Sequence, residues 1–192
     1  MRVLVVDESE ERAAILREGL AMAGHEVAAS LSSPLELLRA VEDLRPDVIV
    51  IDTESPTRDV LEHLVIVSQS SPRPIVMFAT DSGGEIIREA VRAGVSAYIV
   101  DGLDAGRVSS IVQVACARFE EFQRLKAELA QVNLKLSERK LVERAKGLLM
   151  HSRGMSEDDA YHALRKLAMS KKLRLGDIAQ QLIDAAGLLG KS

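Results

Sequence analysis

The sequence predicts an α/β fold: a five-stranded, parallel, doubly wound sheet, then a helical C-terminal third. Over the first hundred residues, short β-branched apolar runs alternate with helix-length amphipathic stretches, the pattern of a parallel sheet covered on both faces. Beyond about Ala105 no strand-like run recurs. The charge also changes sign, with 13 Lys and Arg against 22 Asp and Glu in residues 1–134, and 12 against 7 in residues 135–192. A chain of 192 residues with 47% hydrophobic content can build one domain of ordinary size and a small second one.

The runs "RVLVV" (2–6), "EVAAS" (26–30), "DVIVI" (47–51), "PIVMFA" (74–79) and "AYIV" (97–100) read as the strands. The first, third and fourth are continuous enough to be buried on both faces. Helical patterns lie between them at roughly 9–23, 34–44, 57–70 and 84–93. Gly24 and Gly94 close the first and last, and Ser33 with Pro34 opens the second.

In the helical third, Phe122, Leu125, Leu129, Val132 and Leu136 are spaced 3, 4, 3, 4, the a/d seam of a parallel coiled-coil homodimer. Glu121 and Lys126 then fall at g and e, where a second copy would pair them. The helix is expected to continue to about His151, where "RGM" (153–155) breaks it. "SEDD" (156–159) reads as a capping box opening a second helix to about Ser170. A third follows "KKLRLGD" with Ile178, Ala179, Leu182, Ile183 and Ala186 on one face. The expected domains are 1–118, a coiled-coil linker helix 119–136, and a three-helix bundle 137–192.

Cys116 is the only cysteine, so disulfide frameworks and cysteine metal clusters are excluded, and a reducing compartment is expected. The start turns acidic after five apolar-rich residues, and no uncharged apolar run approaches the ~20 residues that cross a bilayer. A soluble, cytoplasmic protein is the expectation. No nucleophile–base arrangement, tight histidine spacing or phosphate-cradling glycine loop suggests an enzyme.

In an open parallel sheet, ligands bind beyond the carboxyl ends of the strands. Asp7 and Glu8 follow the first strand and Asp52 the third, so three carboxylates suited to Mg²⁺ are expected there, Asp52 being a possible phospho-acceptor. "VVDES", "VIVIDTESP" and "AGVSAYIVDG" resemble the flavodoxin-like receiver domains of two-component response regulators over roughly residues 1–118. Two positions depart from that pattern. Ala79, followed by Thr80, stands where receivers carry a hydroxyl, and Asp101 stands where they carry a lysine. Asp101 adds like charge to a site that would accept a dianion. The expectation is a vestigial site in a domain that serves as a docking surface.

"ERAKGLLM" (143–150), "GMSEDDAYHALRKLAM" (154–169) and "LGDIAQQLI" (175–183) resemble the ANTAR module of the AmiR/NasT family of transcription antiterminators. That resemblance implies RNA binding through the module and, in the nitrate-assimilation branch of the family, a dimer on paired leader-mRNA hairpins. It also implies control by a NasS-like nitrate sensor that sequesters the regulator. Arg139, Arg144, Lys146, Arg165, Lys171 and Lys172 are the expected contacts to phosphates or unpaired bases. Gly147 costs about 1 kcal/mol relative to alanine in a helix and admits a close neighbour, either another helix or a nucleic-acid backbone. Tyr161, the only aromatic of the segment, suits a core role or base stacking, and Met150 and Met169 read as core. Two other readings stay open. "LRLGDIAQQLIDAAG" resembles half of a helix-turn-helix, as in a phosphorylation-dependent DNA-binding response regulator, although Gly187 stands where a basic recognition helix is needed. The other is a phosphorylated receiver acting through protein contacts alone.

Overall fold

The computed structural model describes residues 1–101 and 105–189. Strands β1 (Arg2–Asp7), β2 (Glu26–Leu31), β3 (Val48–Thr53), β4 (Ile75–Ala79) and β5 (Ala97–Val100) form one sheet in the order β2-β1-β3-β4-β5, with every pairing parallel. The predicted runs are therefore the strands, to within a residue or two at their ends. Helices α1 (Glu10–Met22), α2 (Leu37–Leu44), α3 (Arg58–Ser70) and α4 (Gly84–Arg92) alternate with them. The helical pattern predicted from Pro34 begins as a 3₁₀ turn over Pro34–Glu36 and becomes α-helical only at Leu37.

Strand periodicity divides the core into two layers. Val3, Val5, Val48, Val50, Val76 and Phe78 pack against Leu16 and Leu20 of α1 and against Val108, Val112 and Ala115. Their neighbours Leu4, Val6, Ile49, Ile51, Ile75 and Met77 face α2, α3 and α4 on the other side. Because β1 lies between β2 and β3, the strand order reverses beside it, and β1 and β3 run side by side. Their register pairs Asp7 with Asp52 at the carboxyl edge of the sheet, so the site's position follows from the topology.

Helix α5 (Ala105–Arg153) is followed by α6 (Glu157–Lys171) and α7 (Leu175–Leu189). The chain divides into two compact units, Met1–Gln123 and Arg124–Ser192. The second unit has its own core, in which Val142, Ala145 and Leu149 of α5 meet Ala160, Leu164 and Ala168 of α6 and Ile178 and Ala179 of α7. Gly154, at φ +62°, takes the left-handed conformation that ends α5 just after Arg153. Ser156 then caps α6: its Oγ accepts the Asp159 N–H at 3.2 Å and donates to Asp159 Oδ2 at 2.7 Å. Two polar ties fasten the bundle. Glu138 Oε1 accepts the Gly176 N–H at 3.2 Å at the start of α7. Lys146 Nζ donates to Glu157 Oε1 at 2.7 Å, at the start of α6, and to Glu143 Oε1 at 3.0 Å.

Two sequence expectations are corrected here. Met150 and Met169 are not core residues, being 40% and 71% exposed. Their side chains are left outside because alanines and leucines of the three helices already fill the small interior.

Candidate functional site

Asp7 and Asp52 are both buried at the carboxyl edge of the sheet, as the β1–β3 register requires. Arg12, in the first turn of α1, reaches back between them. Its Nη2 lies 3.3 Å from Asp7 Oδ1 and its Nε 3.3 Å from Asp52 Oδ2. Burial, and next the Asp7 charge, push the Asp52 carboxyl up to about 6, with Arg12 pulling the other way. Asp7 Oδ2 and Asp52 Oδ2 have no hydrogen-bond partner, so Arg12 Nε acts on Asp52 Oδ2 by charge rather than by an aligned hydrogen bond. Glu8, the third expected carboxylate, is exposed. Among the described residues no cluster of three carboxylate, histidine or cysteine side chains is arranged to hold a metal. In this arrangement the three carboxylates do not form a Mg²⁺ cage, and the Arg12 guanidinium pairs with both Asp7 and Asp52.

The rim of this pocket is clasped by Asp81. Its N–H and that of Thr80 both donate to the Glu54 carbonyl at 3.0 Å. Its Oδ2 accepts from Ser55 Oγ and its Oδ1 from the Gly83 N–H, each at 2.8 Å. Those two donors, Gly83 first, hold the Asp81 carboxyl below its ordinary range. The Tyr98 hydroxyl donates to the Asp81 carbonyl at 2.8 Å. One residue thus joins the loop after β3, the loop after β4, and β5. Asp101 sits at φ +46°, and its N–H donates to the Ala79 carbonyl at 3.2 Å.

In the helical unit, the expected RNA contacts separate into two sets and an exception. Arg139 and Arg144 are exposed on α5. Arg165 is exposed on α6, with Lys171 and Lys172 at that helix's end. Lys146 is the exception, because it is only 7% exposed and its ammonium is committed to Glu157 and Glu143. Those two carboxylates, Glu157 first, raise its pKa. Its geometry is that of a tie between α5 and α6. Gly147 is exposed, and a Cβ built there would meet nothing within 4 Å, so among the described residues no helix uses the notch. Tyr161 is 40% exposed and meets His162 edge-on, with ring centroids 6.2 Å apart.

Comparison with known families decides between the readings of this arrangement. The response regulator receiver domain matches residues 3–113 and the ANTAR domain residues 130–183. The chain belongs to the receiver family and carries an ANTAR domain. The transcriptional regulatory protein PdtaR of Mycobacterium tuberculosis is 29% identical over 186 residues, covering 97% of this chain and 91% of that one. The nitrate regulatory protein of Klebsiella oxytoca is 46% identical over 68 residues, 35% of this chain and 17% of that protein. The CheY-like receiver domain of Methanospirillum hungatei JF-1 shares the fold, with a TM-score of 0.55 and 20% identity over 62% of this chain and 95% of that one. Both matched relatives are regulators, and this receiver–ANTAR chain is an RNA-binding regulator. Among the described residues no helix is long and apolar enough to cross a membrane.

Sequence reasoning missed Arg12, Asp81 and Glu138. Arg12 had a readable signal: it lies in the first turns of the helix that begins at the acidic edge, five residues after Asp7. Asp81 had none, since its partners come from three separate segments.

Proposed function

We propose that this receiver–ANTAR chain is a NasT-like transcription antiterminator. It binds paired hairpins in a leader mRNA, stabilises the RNA structure that prevents terminator formation, and so admits transcription of nitrate or nitrite assimilation genes. The observation that carries the reading is an ANTAR domain with exposed cations, joined to a receiver whose two buried acids are already paired with Arg12. A phosphoryl switch needs that pocket open; a docking surface does not. The similarity over 68 residues to a nitrate regulatory protein supports the nitrate target. Control then comes from a NasS-like nitrate sensor that sequesters the regulator until nitrate is present, and no step needs a metal.

The regulator works as a homodimer. Phe122, Leu125, Leu129, Val132 and Leu136 are 50–62% exposed in the single chain, and a continuous apolar row of that length favours burial against a second copy. Two ANTAR domains then meet two hairpins, and linking the two contacts raises the affinity for the pair above that for one. Single-round transcription on a template with its leader and terminator tests the function. The full-length protein is expected to increase readthrough, and to lose that effect when one hairpin is deleted. Unchanged termination at saturating protein would contradict it.

A further inference from the structure

The exposed side of α6 carries a feature that phosphate contacts alone do not explain. His162, Arg165, Lys166 and Met169 follow one another at helical spacing and line a shallow groove. They stand opposite Ala160, Leu164 and Ala168, which enter the core. Arg165 and Lys166 have no ion-pair partner among the described residues, and Met169 is 71% exposed. Asp158, one turn before His162 on the same side, ends the cationic surface. An exposed thioether beside two unpaired cations is a poor match for duplex RNA, whose outer surface offers phosphates and sugars. It matches an unpaired base well: the base face meets the polarisable sulfur, and its flanking phosphates meet the cations. The Tyr161 ring meets the His162 imidazole edge-on, and the imidazole nitrogens are able to donate to or accept from a base edge.

We infer that this groove on α6 seats one unpaired RNA base on Met169, with Arg165 and Lys166 holding the adjoining phosphates and His162 the base edge. The inference rests on the RNA-binding reading above and adds a defined site and ligand to it. Lacking an aromatic platform, the site uses methionine for the apolar contact that ring stacking supplies in other single-strand binders.

The test measures binding by the full-length protein to two labelled RNAs, a hairpin with an unpaired loop and a blunt duplex of the same stem. Met169→Ala is expected to weaken hairpin binding by about fivefold or more and to leave duplex binding unchanged. Arg165→Ala with Lys166→Ala should weaken both and reduce the log–log salt slope by about 1.5. Wild-type hairpin affinity in Met169→Ala would overturn the base seat while leaving RNA binding intact. Equal loss on both RNAs, with native circular dichroism, would overturn it too. If the wild-type protein bound neither RNA, the RNA-binding reading would fall, and the inference with it.

Discussion

Asp52 is held in a place that disfavours its charge. Its carboxyl titrates at about 6 because it is buried and faces Asp7, and Arg12 offsets only part of that. A carboxyl with a raised folded pKa contributes stability that is fully present below its unfolded value and lost as pH rises through its folded value. Asp52→Asn removes the charge and keeps the shape. The gain in stability should therefore be small near about pH 4, grow up to about pH 6, and level off at an order of 1 kcal/mol by about pH 7, after allowance for solvent screening. Urea denaturation of both proteins across that range checks it, and a pH-independent difference would contradict the electrostatic account. At this scale the sequence was partly legible. The meeting of Asp7 and Asp52 follows from two parallel strands ending in acids. That Arg12 folds back between them depends on how α1 leaves the strand, which spacing does not encode. Lys146 shows the same limit from the other side. A lysine in a basic helix invites a nucleic-acid role, yet the start of α6 brings Glu157 to it, and a contact made across a helix break has no signature in local composition.

At the scale of elements, α5 combines two incompatible-looking surfaces. Near residues 108–115 and again near 142–149 its apolar side chains are buried in a core. Between them, the row from Phe122 to Leu136 faces outward. The 3, 4, 3, 4 spacing made that row visible, and its exposure in the single chain is what a dimer seam requires before pairing. Phe122→Asp places a charge at an a position and should shift the protein from dimer to monomer in sedimentation at micromolar concentration. The same sedimentation coefficient before and after would remove the seam. The helix ends were readable because Gly154 and Ser156 announce them through backbone conformation and capping. The exposure of Met169 was not, since apolar residues at helical spacing read as core until the neighbouring helices are placed.

Across the whole molecule, chemistry and charge are segregated. The acidic unit carries a receiver fold whose pocket holds its own guanidinium and whose rim is clasped by Asp81. The basic unit carries exposed arginines and lysines on a small bundle, and Arg139, Arg144, Arg165, Lys171 and Lys172 have no ion-pair partner among the described residues. Alternation of strands with helices, followed by the reversal of charge, was enough to read this division from sequence. Which surface a sensor protein meets is a property of side chains brought together by the fold, and periodicity does not report it. On the proposed function, the basic unit recognises hairpin RNA and the receiver governs access to it. The most direct measurement is the affinity of the full-length protein, over a range of salt concentrations, for three nucleic acids: a two-hairpin leader RNA, the same RNA with its loop bases changed, and a DNA duplex of the corresponding sequence. Tight binding to the first that weakens with salt is expected, with markedly weaker binding to the second and third. Equal affinity for all three, or preference for the DNA duplex, would contradict it.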